Sequence, residues 1–149
     1  MTMFKNILVP TDGSRPAGLA IRRAIRLARQ QKARVIGFYV GPPWRLPVYG
    51  EYMPPDIPSP AEHARAVRKT AARYLAAVKQ AATAAGVRSR CYYVMGEHPH
   101  VEIVKAARKN RCDLIAIASH GWSGLSRLLV ASETAKVLAH SSIPVMVCR

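Results

Sequence analysis

Hydrophobic and polar positions alternate between two spacings along this chain. Lys5-Asn6-Ile7-Leu8-Val9-Pro10 opens with an unbroken apolar run, and Val35-Ile36-Gly37-Phe38-Tyr39-Val40 repeats it within Arg34 to Val40. Runs without alternation fit strands covered on both faces, as in a parallel sheet. Between them, from Arg15 to Lys32, the apolar positions are Ala17, Ala20, Ile21, Ala24, Leu27 and Ala28. That spacing predicts an amphipathic helix, with Ser14 as N-cap and Pro16 early in the first turn. Strand, helix and strand within about forty residues make a βαβ unit.

The pattern then pauses. Gly41 to Pro60 is rich in Pro, Gly and aromatic residues and predicts a long loop, either a surface excursion or a cover for a site. From Pro60 or Ala61 to about Ala85 a helix is expected, buried through Ala64, Val67, Ala71, Tyr74, Leu75, Val78 and Ala82. Val87 to Met95 reads as a third strand. Gly96-Glu97-His98-Pro99 turns into a helix facing inward through Val101, Val104 and Ala107. Asp113 to Ile117 reads as a fourth strand, and Glu133 to His140 as a last helix with Thr134, Val137 and Leu138 inward. Ile143 to Cys148 is a fifth strand, where Pro144 fits only its start or an exposed edge. The succession predicts an α/β fold: an open parallel sheet with helices on both faces, Rossmann-like. Ligands of such sheets bind at the C-terminal ends of the strands, where strand order reverses. The first and fourth strands flank that point.

Length and composition narrow the class. The 149 residues suit one domain spanning 1–149, and a 50% hydrophobic content argues against disorder. No apolar run approaches a membrane span, and the apolar run Ile7-Leu8-Val9 within Met1 to Pro10 is too short for a signal peptide, so a cytoplasmic protein is expected. Cys91, Cys112 and Cys148 are widely spaced and suggest neither a zinc site nor a disulfide framework. The formal net charge of +15 favours polyanionic partners. Arg22, Arg26 and Arg29 share one side of the first helix, and Arg65, Lys69 and Arg73 repeat on the long helix, so nucleic acid is one candidate partner.

The richest chemistry lies from Ala118 to Ser132. A small-residue loop between a parallel strand and a helix N-terminus presents backbone N–H groups, and the helix dipole favours an anion there. Ser132 stands where a cap side chain or a ligand contact is expected, followed by Glu133, which competes for the same donors. Asp12 ends the first strand, either as a turn carboxylate or as an acceptor for a ligand's hydroxyl groups. His98 and His100 read as exposed polar residues, with no metal site expected. His120 has no partner for a catalytic triad.

These residues resemble the universal stress protein family almost end to end. The carriers are Ile7 to Ser14, Asp113-Leu114-Ile115, Ser119-His120-Gly121 with Leu128-Leu129, and Ile143 to Val147. The resemblance implies a five-stranded sheet in the order 3-2-1-4-5 and a homodimer paired through the last strand, Ile143 to Cys148. Its ATP-binding branch carries Gly-x-x-Gly, nine residues, then Gly-Ser or Gly-Thr. Here Ala118-Ser119-His120-Gly121 and Ala131-Ser132 occupy those places, so two of the three glycines are alanines. The resemblance implies a site built from Pro10, Thr11, Asp12, Val40, Ala118, His120, Gly121, Ala131, Ser132 and Glu133. Asp12 would hold the ribose hydroxyls, the Val40 main chain the adenine, and Gly121 and Ser132 the phosphates of ATP or AMP. The expectation is a stress-response protein that binds a nucleotide-like ligand weakly and turns nothing over. The alternatives are an interaction module with a vestigial site and a slow ATPase.

Overall fold

The computed structural model describes residues 2–47, 50–119 and 133–149 in full and residues 127–132 as backbone. The elements are β1 (Asn6–Pro10), α1 (Arg15–Gln31), β2 (Arg34–Gly41), α2 (Pro60–Ala84), β3 (Ser89–Met95), α3 (Pro99–Lys109), β4 (Leu114–Ala118), α4 (Arg127–His140) and β5 (Val145–Cys148). All strand pairs are parallel, in the order β3-β2-β1-β4-β5. This is the order that the resemblance implies.

The apolar runs sit where their continuity demands. Ile7, Leu8, Val9, Ile115 and Ile117 are all within 1% of complete burial, because helices cover both sides of the central strands. Side chains alternate across the sheet, so consecutive residues enter different cores. Ile7 and Val9 pack with Ile21, Ala24, Val35 and Val78 beneath α1 and α2. Leu8 packs with Ile36, Phe38, Ile103 and Val137 beneath α3 and α4. One pair of helices therefore covers each face.

The caps follow local chemistry. Ser14 Oγ accepts from Ala17 N at 3.2 Å, and Pro16 lies in the first turn of α1. Ser59 and Glu62 form a reciprocal capping box at the start of α2.

Several sequence expectations are corrected. In α1, Ile25 is buried and Leu27 only partly so, because Ile25 follows Ala24 onto the sheet face. Ala64 and Tyr74 of α2 are half-buried. In α3, Val101 is exposed while Ile103 and Ala106 are buried, so the inward face is rotated from the expected one. Leu138 is likewise exposed, leaving Thr134 and Val137 as the inward residues of α4.

The largest difference is the start of α4. It begins at Arg127, six residues before Glu133, so Ser132 lies inside the helix rather than at its cap. Arg127-Leu128-Leu129-Val130-Ala131 contains no Gly or Pro to delay the helix, and Leu, Arg and Ala favour it. Only the first four N–H groups of a helix are free, so the amide of Ser132 is no longer among the free donors.

Candidate functional site

The C-terminal ends of β1 and β2 lie side by side. Thr11 N donates to Phe38 O at 2.9 Å, which carries the chain past the last ladder pair and leaves Asp12 at the rim of the sheet. Thr11 itself is buried, and its hydroxyl accepts from Gly13 N at 3.2 Å. Asp12 Oδ1 accepts from Ser14 N at 3.0 Å, a turn that hands the chain to α1. Gly13 has φ +77°, and a Cβ there would collide with the Tyr74 ring. The turn thus needs glycine for both its backbone angle and the close ring.

The turn reading of Asp12 holds for one of its two oxygens. Oδ1 makes the turn. Oδ2 is buried and has no hydrogen-bond partner among the described residues. A buried acceptor left unmatched costs about 1–3 kcal/mol, so such groups are rare and call for an explanation. Asp12 lines a cavity of about 530 Å³, bounded also by Tyr39, Val40, Pro42, Arg45, Tyr74 and Glu97. Tyr39 and Tyr74 meet edge-on, with ring centroids 5.3 Å apart. Burial pushes the Tyr39 phenol above its ordinary range, and Tyr74 and the Asp12 carboxylate add to the effect. Arg45 pairs with Glu97 at 2.6 Å, joining the segment after β2 to the turn after β3.

The structure therefore brings Asp12 and Val40 to one cavity, with Pro10 and Thr11 at the strand end behind Asp12. Sequence reasoning missed Tyr39, Tyr74, Arg45 and Glu97. The turn Gly96-Glu97-His98-Pro99 carried a usable signal, since it follows the C-terminal end of a strand. Tyr74 carried none, because its helical spacing reads as core.

The other expected residues part company. Ala118 is buried with Ala20 and Cys148, so its methyl packs into the interior and not toward a phosphate path. Its carbonyl accepts from Thr134 Oγ1 at 2.8 Å. Glu133 does not stand at a free helix N-terminus. Its Oε2 accepts from His100 N at 3.0 Å and meets His100 Nδ1 at 3.1 Å, so the carboxylate serves the first turn of α3. His120 and Gly121 lie outside the described residues, as do the side chains of Ala131 and Ser132. The rings of His98, His100 and His140 neighbour one another in tilted arrangements, with centroids 6.0 and 5.5 Å apart. Among the described residues no three His, Cys, Asp or Glu side chains are placed to hold a metal ion.

Residues 3–149 match the model of the universal stress protein family. The universal stress protein YxiE of Bacillus subtilis is 32% identical over 152 residues, covering 99% of this chain and all of the relative. The solved structure of protein MJ0577 superposes with a TM-score of 0.80 at 28% identity, covering 99% of this chain and 96% of that one. Two further universal stress proteins share the fold. One, solved in complex with cAMP, has a TM-score of 0.72 at 23% identity and covers 99% of each chain. The other, from Archaeoglobus fulgidus in complex with dAMP, has a TM-score of 0.63 at 16% identity and covers all of both chains. A match across nearly the whole length, on the same sheet order, establishes that this chain belongs to the universal stress protein family.

Proposed function

We propose that this chain is a stress-response binding protein for an adenine nucleotide such as ATP or AMP, seated in the cavity at the ends of β1 and β2. The observation that carries the reading is the buried Oδ2 of Asp12, without a hydrogen-bond partner among the described residues, on a residue that lines that cavity. A carboxylate oxygen there accepts hydrogen bonds from ribose hydroxyls. Val40, on the same wall, offers main chain to the base, and the cAMP and dAMP complexes of similarly folded proteins favour this ligand class. Phosphates extend toward the loop after β4. Weak affinity is expected, because only Gly121 of the family pattern's three glycines is present.

The chain works by binding and not by turnover. An ATPase needs a group that orients water at the phosphates. Glu133, the carboxylate nearest in sequence to the loop, is engaged by His100.

The proposal includes a homodimer through β5, the free edge of the sheet beyond β4. Pro144 O and Cys148 O accept from β4, so the alternate residues Val145 and Val147 turn their peptide groups to the open edge. Val147→Pro removes an edge donor without touching the β4 ladder and is expected to give a monomer by light scattering; an unchanged dimer would reject this edge. A cytoplasmic location also belongs to the proposal, supported by three free thiols.

The test of the ligand is native mass spectrometry of the purified protein, followed by equilibrium dialysis with ATP and AMP. A co-purifying adenine nucleotide, or saturable binding below millimolar concentration, is expected. Absence of both overturns the reading.

A further inference from the structure

The charge of this chain is not spread evenly. Helices α1 and α2 lie side by side on one face of the sheet and carry five basic residues each. The two helices contain one acidic residue, Glu62, and its carboxylate accepts from Ser59 N at 2.7 Å in the α2 capping box. Arg22, Arg26 and Arg29 of α1 are exposed, as are Arg65, Lys69 and Arg73 of α2. Among the described residues none of these six is in an ion pair with a carboxylate. The opposite face differs, for there Lys105 pairs with Glu102 and Lys136 with Glu133.

We propose that the α1–α2 face binds nucleic acid through its phosphate backbone, without reading sequence. Unpaired like charges gathered on one face repel one another and favour a partner of opposite sign. The basic residues run from Arg15 to Arg29 of α1 and from Arg65 to Lys79 of α2, about 21 Å of helix each, so the partner carries repeated negative charge over that length. Eight of the ten basic residues are arginine, whose planar fork matches phosphate oxygens. Beside α2 runs a groove of about 630 Å³ along β3, lined by Arg68, Leu75, Lys79, Cys91 and Tyr93, which sets an aromatic ring beside two cations. A second copy of the chain is repelled by a face of the same sign. An acidic membrane is disfavoured because the apolar sides of both helices are buried, leaving no surface to insert. No residue of α1 lines the Asp12 cavity, so the Arg22, Arg26 and Arg29 row is tested independently of the nucleotide site.

The test is fluorescence anisotropy of a labelled 20-nucleotide single strand and its duplex, titrated with the full-length protein between 50 and 200 mM salt. Binding of either form is expected, weakening by about a thousandfold over that range if six phosphates are neutralised. The triple variant Arg22→Glu, Arg26→Glu, Arg29→Glu is expected to flatten the log–log salt slope by about 2 to 3. A matched reversal on the other face, Lys105→Glu, Arg108→Glu, Lys109→Glu, changes the net charge equally and is expected to leave binding close to wild type. The milder Arg22→Gln, Arg26→Gln, Arg29→Gln set covers a fold failure of the reversal. Equal losses from the two faces would reduce the effect to net charge and overturn the proposal. So would the absence of binding at 50 mM salt, or capture by phosphatidylserine vesicles in place of nucleic acid.

Discussion

The two ends of the sheet each hold an aspartate beside β1, and the two are treated in opposite ways. At the N-terminal end, Asp113 is surrounded by main-chain donors. Its Oδ1 accepts from Lys5 N and Asn6 N, both at 3.1 Å, and its Oδ2 accepts from Lys5 N at 2.8 Å. Asp113 N in turn donates to Asn6 O at 2.9 Å. This carboxylate ties the entry of β1 to the entry of β4 and has both oxygens engaged. At the C-terminal end, Asp12 uses one oxygen in a turn and keeps the other buried and unmatched beside a cavity. Parallel strands set up this asymmetry. Their N-terminal ends are consumed by the turns that feed them, while their C-terminal ends open toward the ligand side.

The comparison makes opposite demands on substitutions. The largest expected effect is on binding: Asp12→Ala removes the proposed ribose acceptor, costing about 2–3 kcal/mol, roughly thirty- to 140-fold in the Kd for ATP or AMP. Equilibrium dialysis reads this directly, and an unchanged Kd would break the contrast. Next comes stability. Asp113→Ala loses charge-assisted bonds to two N–H groups and is expected to lower unfolding free energy by about 1.5–3 kcal/mol in urea, with nucleotide binding intact. Asp12→Asn keeps an acceptor for Ser14 N while removing a buried charge without a partner. It is expected to be neutral or to stabilise by up to about 1 kcal/mol. Urea melts of the two variants should therefore move in different directions, and matched losses would show that Asp12 is simply structural.

The smallest effect concerns thiol chemistry. Cys112 adjoins Asp113, and burial pushes its thiol up to about 12, with the Asp113 charge adding to the shift. Burial likewise raises the thiols of Cys91 and Cys148. The thiolate is the reactive form, so in the folded protein Cys112 should resist a disulfide reagent at pH 8 and react once urea is added. The sign for stability follows. The folded thiol keeps its proton after the unfolded thiol, with a pKa of about 8.5, has lost its own. This group therefore favours unfolding as pH rises from about 8.5 toward 12. Fast reaction in the native state would place the N-terminal end of β4 closer to solvent than its burial implies.

The sequence made β1, β2 and β4 legible because apolar runs flanked by turn residues have few alternatives. Helix existence was legible for the same reason, through spacing. The inward face was less so. Ile25 and Leu27 are both apolar neighbours of the stripe, and only packing against the sheet decides between them. The start of α4 was hidden because Arg127 to Ala131 carries neither a stop signal nor a cap. Glu133 was misread for a different reason. Its partner is His100, thirty-three residues away, and nothing local announces a contact made by two helices crossing. Asp12 and Asp113 each stand beside an apolar run, Asp12 after its run and Asp113 before it. Their difference lies in which donors the fold brings to each oxygen.

The central claim is that Asp12 Oδ2 awaits a ligand. Its most direct measurement is the thermal unfolding midpoint with and without millimolar ATP, for the wild-type protein and for Asp12→Ala. A nucleotide-dependent rise in the wild type that vanishes in Asp12→Ala, with the two apo midpoints close together, is the expected result. A rise of equal size in both proteins would contradict it.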